Sequence, residues 1–519
     1  MLWIALHLPL LSLESLAATL PPELRQMPLA LVEARQISHA NASAQALGVK
    51  PGLKRATALG LVPHLVTAAA DPLRDAQALQ AVLHACLAFT PAVVALPPSQ
   101  ALLEVQASLR YFGGFEPLLQ RLRAALAPLA HETQTASAPT AQGAALLARM
   151  NGPPTGLHCP DLPSLQRALG AAPVWLLGAG HEHWEALQGM GLRTIADLRG
   201  LPRAGLARRF GEALQDELDR ALGERPDPRA WVSLAPTFEA RLELFARADT
   251  SEQVLHGASV LLARLVAWLS AQHAFVRRFT LQLQHEARWR RADTPPDTAL
   301  EIVLAAPSRD AAHLLLLLRE RLNRTQLVAP ALELRLRADE IVRAPPPNSE
   351  LFPTAQGERE GLALLVERLQ ARLGRRQVQR LARVQDHRPE RSSALHEVDA
   401  GALHSPPGRP QAQRANLGPE VGPGTARPAQ GGLITRPVWL LEPPQPLPER
   451  LSQPLLDGAP LQLLSDPERF EAGWWDEGLA ARDYFVAQAA DASLVWVYRL
   501  RLADLAPHAQ GWYLHGRFA

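Results

Sequence analysis

Residues 386–436 are more than a quarter Pro and Gly and contain no Phe, Trp or Tyr. A stretch so composed has too little apolar surface to offset the entropy of ordering it, and it reads as a flexible linker. The chain must therefore build its cores on either side of it. At 519 residues there is room for about three to five modules. Upstream, strand-like and helix-like spacings alternate. Downstream, residues 437–519 regain Trp439, Trp496, Tyr498, Tyr513 and Phe518 in short segments between Gly and Pro, the pattern of a small β-rich domain.

Composition narrows the function classes. Apolar residues make up 47% and charged residues 20%, ordinary for a globular protein. The net charge of +2 gives no whole-protein field that draws in nucleic acid. Lys50 and Lys54 are the only lysines. With so much Ala, Leu and Pro, the arginine excess reads as codon bias, so a single arginine is weak evidence of phosphate binding. Cys86 and Cys159 lie too far apart for a metal pair and read as buried thiols of a reducing compartment. The apolar start, residues 2–13, has no Lys or Arg before it and is interrupted by His7 and Pro9, so it reads as a buried first strand rather than a leader. No other run approaches the roughly 18 apolar residues of a membrane span. The expectation is a soluble, cytoplasmic protein with no membrane partner, no metal and no cofactor.

The order of elements predicts a multidomain α+β protein. Strands are expected at 2–8 and 28–32, helices at 10–20, from 40 to an end at Gly48, and at 71–89, and a buried strand at 100–105. A Gly113-Gly114 turn follows, then a helix at 117–129, a strand at 133–137 and a helix at 140–150. Residues 165–229 change to short helices. Residues 238–342 read βαββαβ, with helices at 251–273 and 309–324. The strand at 277–284 alternates polar and apolar residues, so one face of its sheet is wet. A helix is expected at 358–384.

Several motifs resemble those of the Y-family (translesion) DNA polymerases. Ala40-Asn41-x-x-Ala44-x-x-x-Gly48-Val49-Lys50-x-Gly52 is similar to a fingers motif whose Tyr and Arg hold the triphosphate; here those places are Ala42 and Gln45. The family's first strand ends in Asp-x-Asp; here His7 and Pro9 stand there. Its second strand supplies an Asp-Glu pair; here Ser99 and Gln100 stand there. The resemblance implies a right hand: palm at 1–16 and 71–164, fingers at 17–70, a thumb with a helix-hairpin-helix at 165–232, and a little finger at 238–344. Two-metal phosphoryl transfer needs anionic oxygens converging on ions about 3.5–4 Å apart. Ser, Gln and Pro supply no charge, and imidazole suits softer metals. The chain therefore reads as a pseudo-polymerase, without catalytic or nucleotide-binding residues.

Beyond residue 342 the chain resembles the ImuB-type proteins of bacterial mutagenesis cassettes. Ala371-Arg372-Leu373-Gly374 and Asp386-His387-Arg388-Pro389-Glu390 are similar to their post-little-finger signature. Arg436-Pro437-x-Trp439, Gly473-Trp474-Trp475, Arg482-Asp483-Tyr484 and Gly511-Trp512-x-Leu514-His515-Gly516 are similar to their C-terminal domain. The resemblance implies an adaptor in SOS-induced, error-prone lesion bypass. Its partners would be primed or damaged DNA, the sliding clamp, an error-prone replicative-type polymerase and an ImuA-type RecA-like protein. Asn348-Ser349-Glu350-Leu351-Phe352, in the segment 345–385, resembles the pentapeptide that docks in the clamp groove, with Asn348, Leu351 and Phe352 as anchors. The alternative is that Leu351 and Phe352 tack a connector onto the body.

Other candidates stay open at this stage. Gly189 and Gly191, followed by Arg193 and Arg209, fit a phosphate-binding hairpin or an ordinary αα-hairpin with glycine caps. Arg277 and Arg278 would face DNA from the little-finger sheet, or merely solvent. Trp474, Trp475, Tyr484 and Trp512 are the expected partner-binding residues of the C-terminal domain. Arg482, Asp483, Tyr484 and His515 fit either a nuclease-like site or a satisfied polar network. The competing function is an active Y-family polymerase with displaced metal ligands.

Overall fold

The structure, a computed structural model, describes residues 1–150, 157–286, 295–343, 355–398, 436–437, 439–473, 475–476, 479–501 and 511–518. It divides into two compact units, one of residues 1–373 with 399–405 and one of residues 374–398 with 406–519.

The first unit opens with strand β1 (Trp3–His7) at the heart of a four-stranded antiparallel sheet. Numbering strands along the chain, β2 is Leu29–Glu33, β3 Gln36–Ala40, β4 Val66–Ala69, β5 Val93–Leu96, β6 Gln100–Glu104 and β7 Gln134–Ala138. The sheet runs β5-β6-β1-β7. Both faces of β1 are covered, which is why its sequence is an unbroken apolar run. Ile4 and Leu6 share a core with Leu79 and Val82 of helix Pro72–Leu87 and with Leu118 and Leu122 of helix Phe115–Leu126. Trp3 and Ala5 face helix Ala141–Ala148. That second core runs on without a break into the short helices after residue 161, through Leu165, Leu169, Leu214 and Leu218. Strands β3-β2-β4 form a separate small sheet, stitched by Asn41, whose Oδ1 accepts from Leu29 N at 3.0 Å and Ala44 N at 2.9 Å.

The βαββαβ expectation matches four antiparallel strands: β8 (Glu239–Ala248), β9 (Phe275–His285), β10 (Asp297–Ser308) and β11 (Ala331–Val342), in order β10-β9-β11-β8. Helix Ser251–Ala271 is long and apolar enough by composition to cross a membrane. Here it is a core helix: Val254, Leu261, Leu265 and Trp268 pack on the sheet, and Ala267 enters the core around helix Pro72–Leu87.

Two expectations fail at the end of this unit. The helix expected at 358–384 is Ala355–Leu373 and stops before Gly374, whose φ of +96° ends it. Residues 386–398, expected to begin the linker, are ordered. In the second unit Ser393–Glu397 pairs antiparallel with Gln379–Arg383, and Arg388 is 2% exposed. The remainder of the expected linker, 399–435, lies outside the described residues. The β-rich expectation for the C-terminal region holds. Its main sheet runs Trp439–Leu447, Trp512–Arg517, Leu494–Leu500, Ala480–Gln488, Gln462–Leu463, with Glu468–Ala472 also paired to Ala480–Gln488.

Candidate functional site

The palm end of β1 is where the resemblance would place metal. His7 and Gln100 sit directly opposite each other across β1 and β6, and Leu8 N donates to Ser99 O at 2.9 Å. Pro9 lies just beyond in the turn. The Gln100 amide is turned into the structure, donating to Ala145 O at 2.9 Å. Arg149, at the end of helix Ala141–Ala148, donates to Leu176 O at 2.9 Å. Burial first, and the Arg149 charge second, lower the His7 pKa, so the ring is neutral; a backbone hydrogen bond with Ser99 opposes them. Its Nδ1 is buried without a partner. A divalent ion at this point would meet an amide, a neutral imidazole and a guanidinium. Glu14 is committed elsewhere, accepting from Glu132 N at 2.9 Å beside His131. Glu104 pairs with Trp3 at the far end of the strand. Among the described residues no cluster of three or more His, Cys, Asp or Glu could hold a metal. The donor set does not fit Mg²⁺.

The two positions where the resemblance would place triphosphate contacts are equally uncharged. Ala42 opens helix Ala42–Ala46 with no polar side chain, and Gln45 Nε2 donates to Ala40 O at 2.7 Å.

In the helical region, Gly189 ends helix Trp184–Gly189 and Gly191 turns the chain at φ +82°. The hairpin's N–H groups are used internally. Met190 N bonds Ala186 O and Leu187 O, Gly191 N bonds Gln188 O, and Leu192 N bonds Leu187 O. Arg193 N and Thr194 N both donate to Asp197 Oδ2, at 3.0 and 2.9 Å. The N–H groups of Met190–Thr194 are therefore bonded within the protein, as the αα-hairpin alternative has it. Arg209, on helix Arg203–Phe210, lies over the Phe210 ring at 5.6 Å.

The β10-β9-β11-β8 sheet, expected as the little finger, has the wet face its alternation predicts. Phe279, Leu281 and Leu283 are buried, whereas Arg278, Thr280 and Gln282 point the other way. That face is not a plain cationic surface. Arg278 pairs with Glu301 at 3.3 Å and Glu340 at 3.5 Å, and Arg277 reaches Glu340 at 3.8 Å. Arg337 pairs with Asp339 and Arg335 with Glu333.

Two of the four expected partner-binding residues prove to be core. Tyr484 is 1% and Trp512 3% exposed. Tyr484 stacks on Trp496 with centroids 3.9 Å apart, and Trp512 packs with Leu447, Val495 and Val497. Trp475 is 54% exposed, as an interface residue would be; Trp474, Asn348, Leu351 and Phe352 lie outside the described residues. Sequence reasoning missed the role of the Asp386–Glu390 motif. The Glu390 carboxylate takes both Arg482 Nη1 and Nη2, at 3.1 and 2.9 Å. Arg482 Nη1 also reaches Tyr484 Oη at 2.9 Å, and Tyr484 Oη meets His515 Nδ1 at 2.8 Å. Arg388 forks between Asp386 and Asp476. Burial pushes the His515 pKa down to about 4, so it is neutral at pH 7. Asp483 projects from the opposite face of its strand toward Arg469 and Arg501. Arg482, Tyr484 and His515 thus form a linked polar network without Asp483, with Arg482 Nε and His515 Nε2 buried without a hydrogen-bond partner, and the nuclease-like constellation is not assembled.

Residues 12–149 match the impB/mucB/samB (IMS) family. The protein ImuB of Caulobacter vibrioides is 30% identical over 488 residues, 91% of this chain and 100% of that protein. The chain belongs to the ImuB family. A DNA polymerase IV of Yersinia pestis is 28% identical over 196 residues, 37% of this chain and 56% of that one. Among solved structures, a Dbh ternary complex gives a TM-score of 0.38 at 17% identity, over 66% of this chain and 100% of that one. DinB from Sulfolobus solfataricus gives 0.37 at 18%, with the same coverages. This ImuB-family chain thus combines a Y-family-related polymerase region with a β-rich C-terminal region, in the context of DNA damage tolerance.

Proposed function

We propose that this ImuB-family protein is a non-catalytic adaptor in SOS-induced, error-prone translesion synthesis. The observation that carries the reading is the palm end of β1. Each position that would bind a metal or triphosphate holds a neutral or aliphatic side chain, and Gln100 and Gln45 are bonded to backbone carbonyls instead. The palm then serves as scaffold, and synthesis passes to a partner, an error-prone replicative-type polymerase, with an ImuA-type RecA-like protein completing the assembly. The little-finger face and Arg209 supply contacts to primed or damaged DNA. Leu351, Phe352 and Asn348 dock on the sliding clamp, and Trp475 lies on the surface offered to protein partners. The cytoplasm is the compartment of this work. Purified full-length protein should give no Mg²⁺-dependent primer extension, while clamp capture in a pull-down should be lost with Leu351→Ala and Phe352→Ala together. Nucleotide incorporation by the wild-type protein alone would instead establish an active polymerase with displaced ligands.

A further inference from the structure

Helix Ser251–Ala271 carries one cation in its apolar run, Arg264, and it is 7% exposed. Among the described residues no carboxylate lies within ion-pair distance of it. Its recorded hydrogen bond is long, from Nη1 to Arg241 O at 3.4 Å. Burial alone pulls its pKa down to about 10, still fully charged at pH 7. A guanidinium taken out of water without an anion is costly, and such groups are normally paired.

Arg264 borders a cavity of about 400 Å³ between helix Pro72–Leu87 and the little-finger module. Arg241 and Arg335 line the same cavity, with Gln77 and Gln80 across from them and Trp268 beneath. Glu239 is the one acidic residue of this lining, and Arg335 already neutralises Glu333. His84, also on the wall, has its pKa lowered to about 4 by burial and brings no charge. Cations therefore outnumber anions, and the most buried of them lacks a counter-ion. A planar guanidinium fork suits phosphate, the amides of Gln77 and Gln80 add donors, and the volume is that of a small-molecule pocket.

We propose that this cavity is a phosphate-binding site, with Arg264 as its buried anchor and a nucleotide phosphate as its ligand. It is separate from the degenerate palm end, and Arg241 and Arg335, paired across β8 and β11, border it from the wet side of the sheet. The phosphate comes either from a free nucleotide or from a single DNA strand laid between the two modules.

Binding to full-length protein is measured with pyrophosphate, dAMP and a short single-stranded oligodeoxynucleotide, by calorimetry and by ligand-induced rise in Tm. Arg264→Gln should weaken binding about tenfold or more. Gln80→Glu, at an exposed helix position, should do the same while raising the ligand-free Tm, because it supplies the missing carboxylate; it also keeps the test alive if Arg264→Gln fails to fold. Binding of pyrophosphate and dAMP, lost in both variants, assigns the site to free nucleotides. Binding of the oligonucleotide alone, with the same losses, assigns it to a DNA strand. No binding of any probe at millimolar concentration, or binding that Gln80→Glu leaves unchanged, overturns the proposal.

Discussion

The end of β1 and the centre of the C-terminal sheet both bury polar side chains, yet they treat them in opposite ways. At β1 the polar groups are neutral and singly tied: Gln100 to one carbonyl, His7 with an orphaned Nδ1. In the C-terminal sheet an ion pair, Glu390 with Arg482, is interlocked with the neutral Tyr484 and His515 in one chain of contacts. A metal site keeps carboxylates close together because the ion neutralises them. Without the ion the same carboxylates repel, and uncharged residues cost less to bury. The C-terminal sheet supplies its own counter-charge from the Asp386–Glu390 motif, so it retains its ions.

The comparison can be broken most severely at Glu390. Glu390→Ala strands the Arg482 guanidinium and should destabilise the C-terminal unit by about 3 kcal/mol, read as a lowered urea midpoint of Trp496 fluorescence. A loss below about 1 kcal/mol would make the network ornamental, as exposed pairs are. Next, Gln100→Glu puts an acceptor against the Ala145 carbonyl. Rebuilding one carboxylate at the palm should therefore cost about 1–3 kcal/mol and yield no primer extension. Unchanged stability would mean the locus still tolerates a metal-site acid.

The third test is pH. The folded His515 pKa of about 4 lies below the ordinary 6.5. The unfolded chain therefore binds the proton first as pH falls. The stability of the C-terminal unit is fully present above about 6.5 and should drop toward pH 4, by up to about 1.4 kcal/mol per pH unit. His515→Gln should flatten that slope even though it also loses the Tyr484 contact; an unaltered slope would assign it to other groups. The smallest effect is expected on the little-finger face. Glu301→Gln with Glu340→Gln should tighten DNA binding several-fold and steepen its salt dependence, because Arg277 and Arg278 are freed. Arg277→Ala with Arg278→Ala should weaken binding only modestly.

Elements with strong periodicity were legible in advance. β1, β6, helix Pro72–Leu87 and the βαββαβ module all fall within a few residues of their expected places, since a buried strand or amphipathic helix announces itself in its own spacing. The degenerate palm positions were legible too, because residue type alone says whether a charge is present. What went wrong shares one cause. Tyr484 and Trp512 were expected at a surface because aromatic residues suit interfaces, but only strand register determines which side of a sheet they take. Residues 386–398 were expected to be linker from Pro content, although Arg388 and Glu390 find their partners 88 and 92 residues away in sequence.

The sequence by itself determined where the cores lie and that positions 7, 9, 99 and 100 hold no carboxylate, since apolar periodicity and side-chain charge are local properties. The tertiary structure alone decided which polar groups are satisfied. It gave the hairpin N–H groups at Gly191 and Arg193 to neighbouring acceptors, joined Glu390 to Arg482 and left Arg264 buried beside an open cavity. Hydrogen bonding and desolvation depend on what lies across from a group in space, and residues distant in sequence supply it.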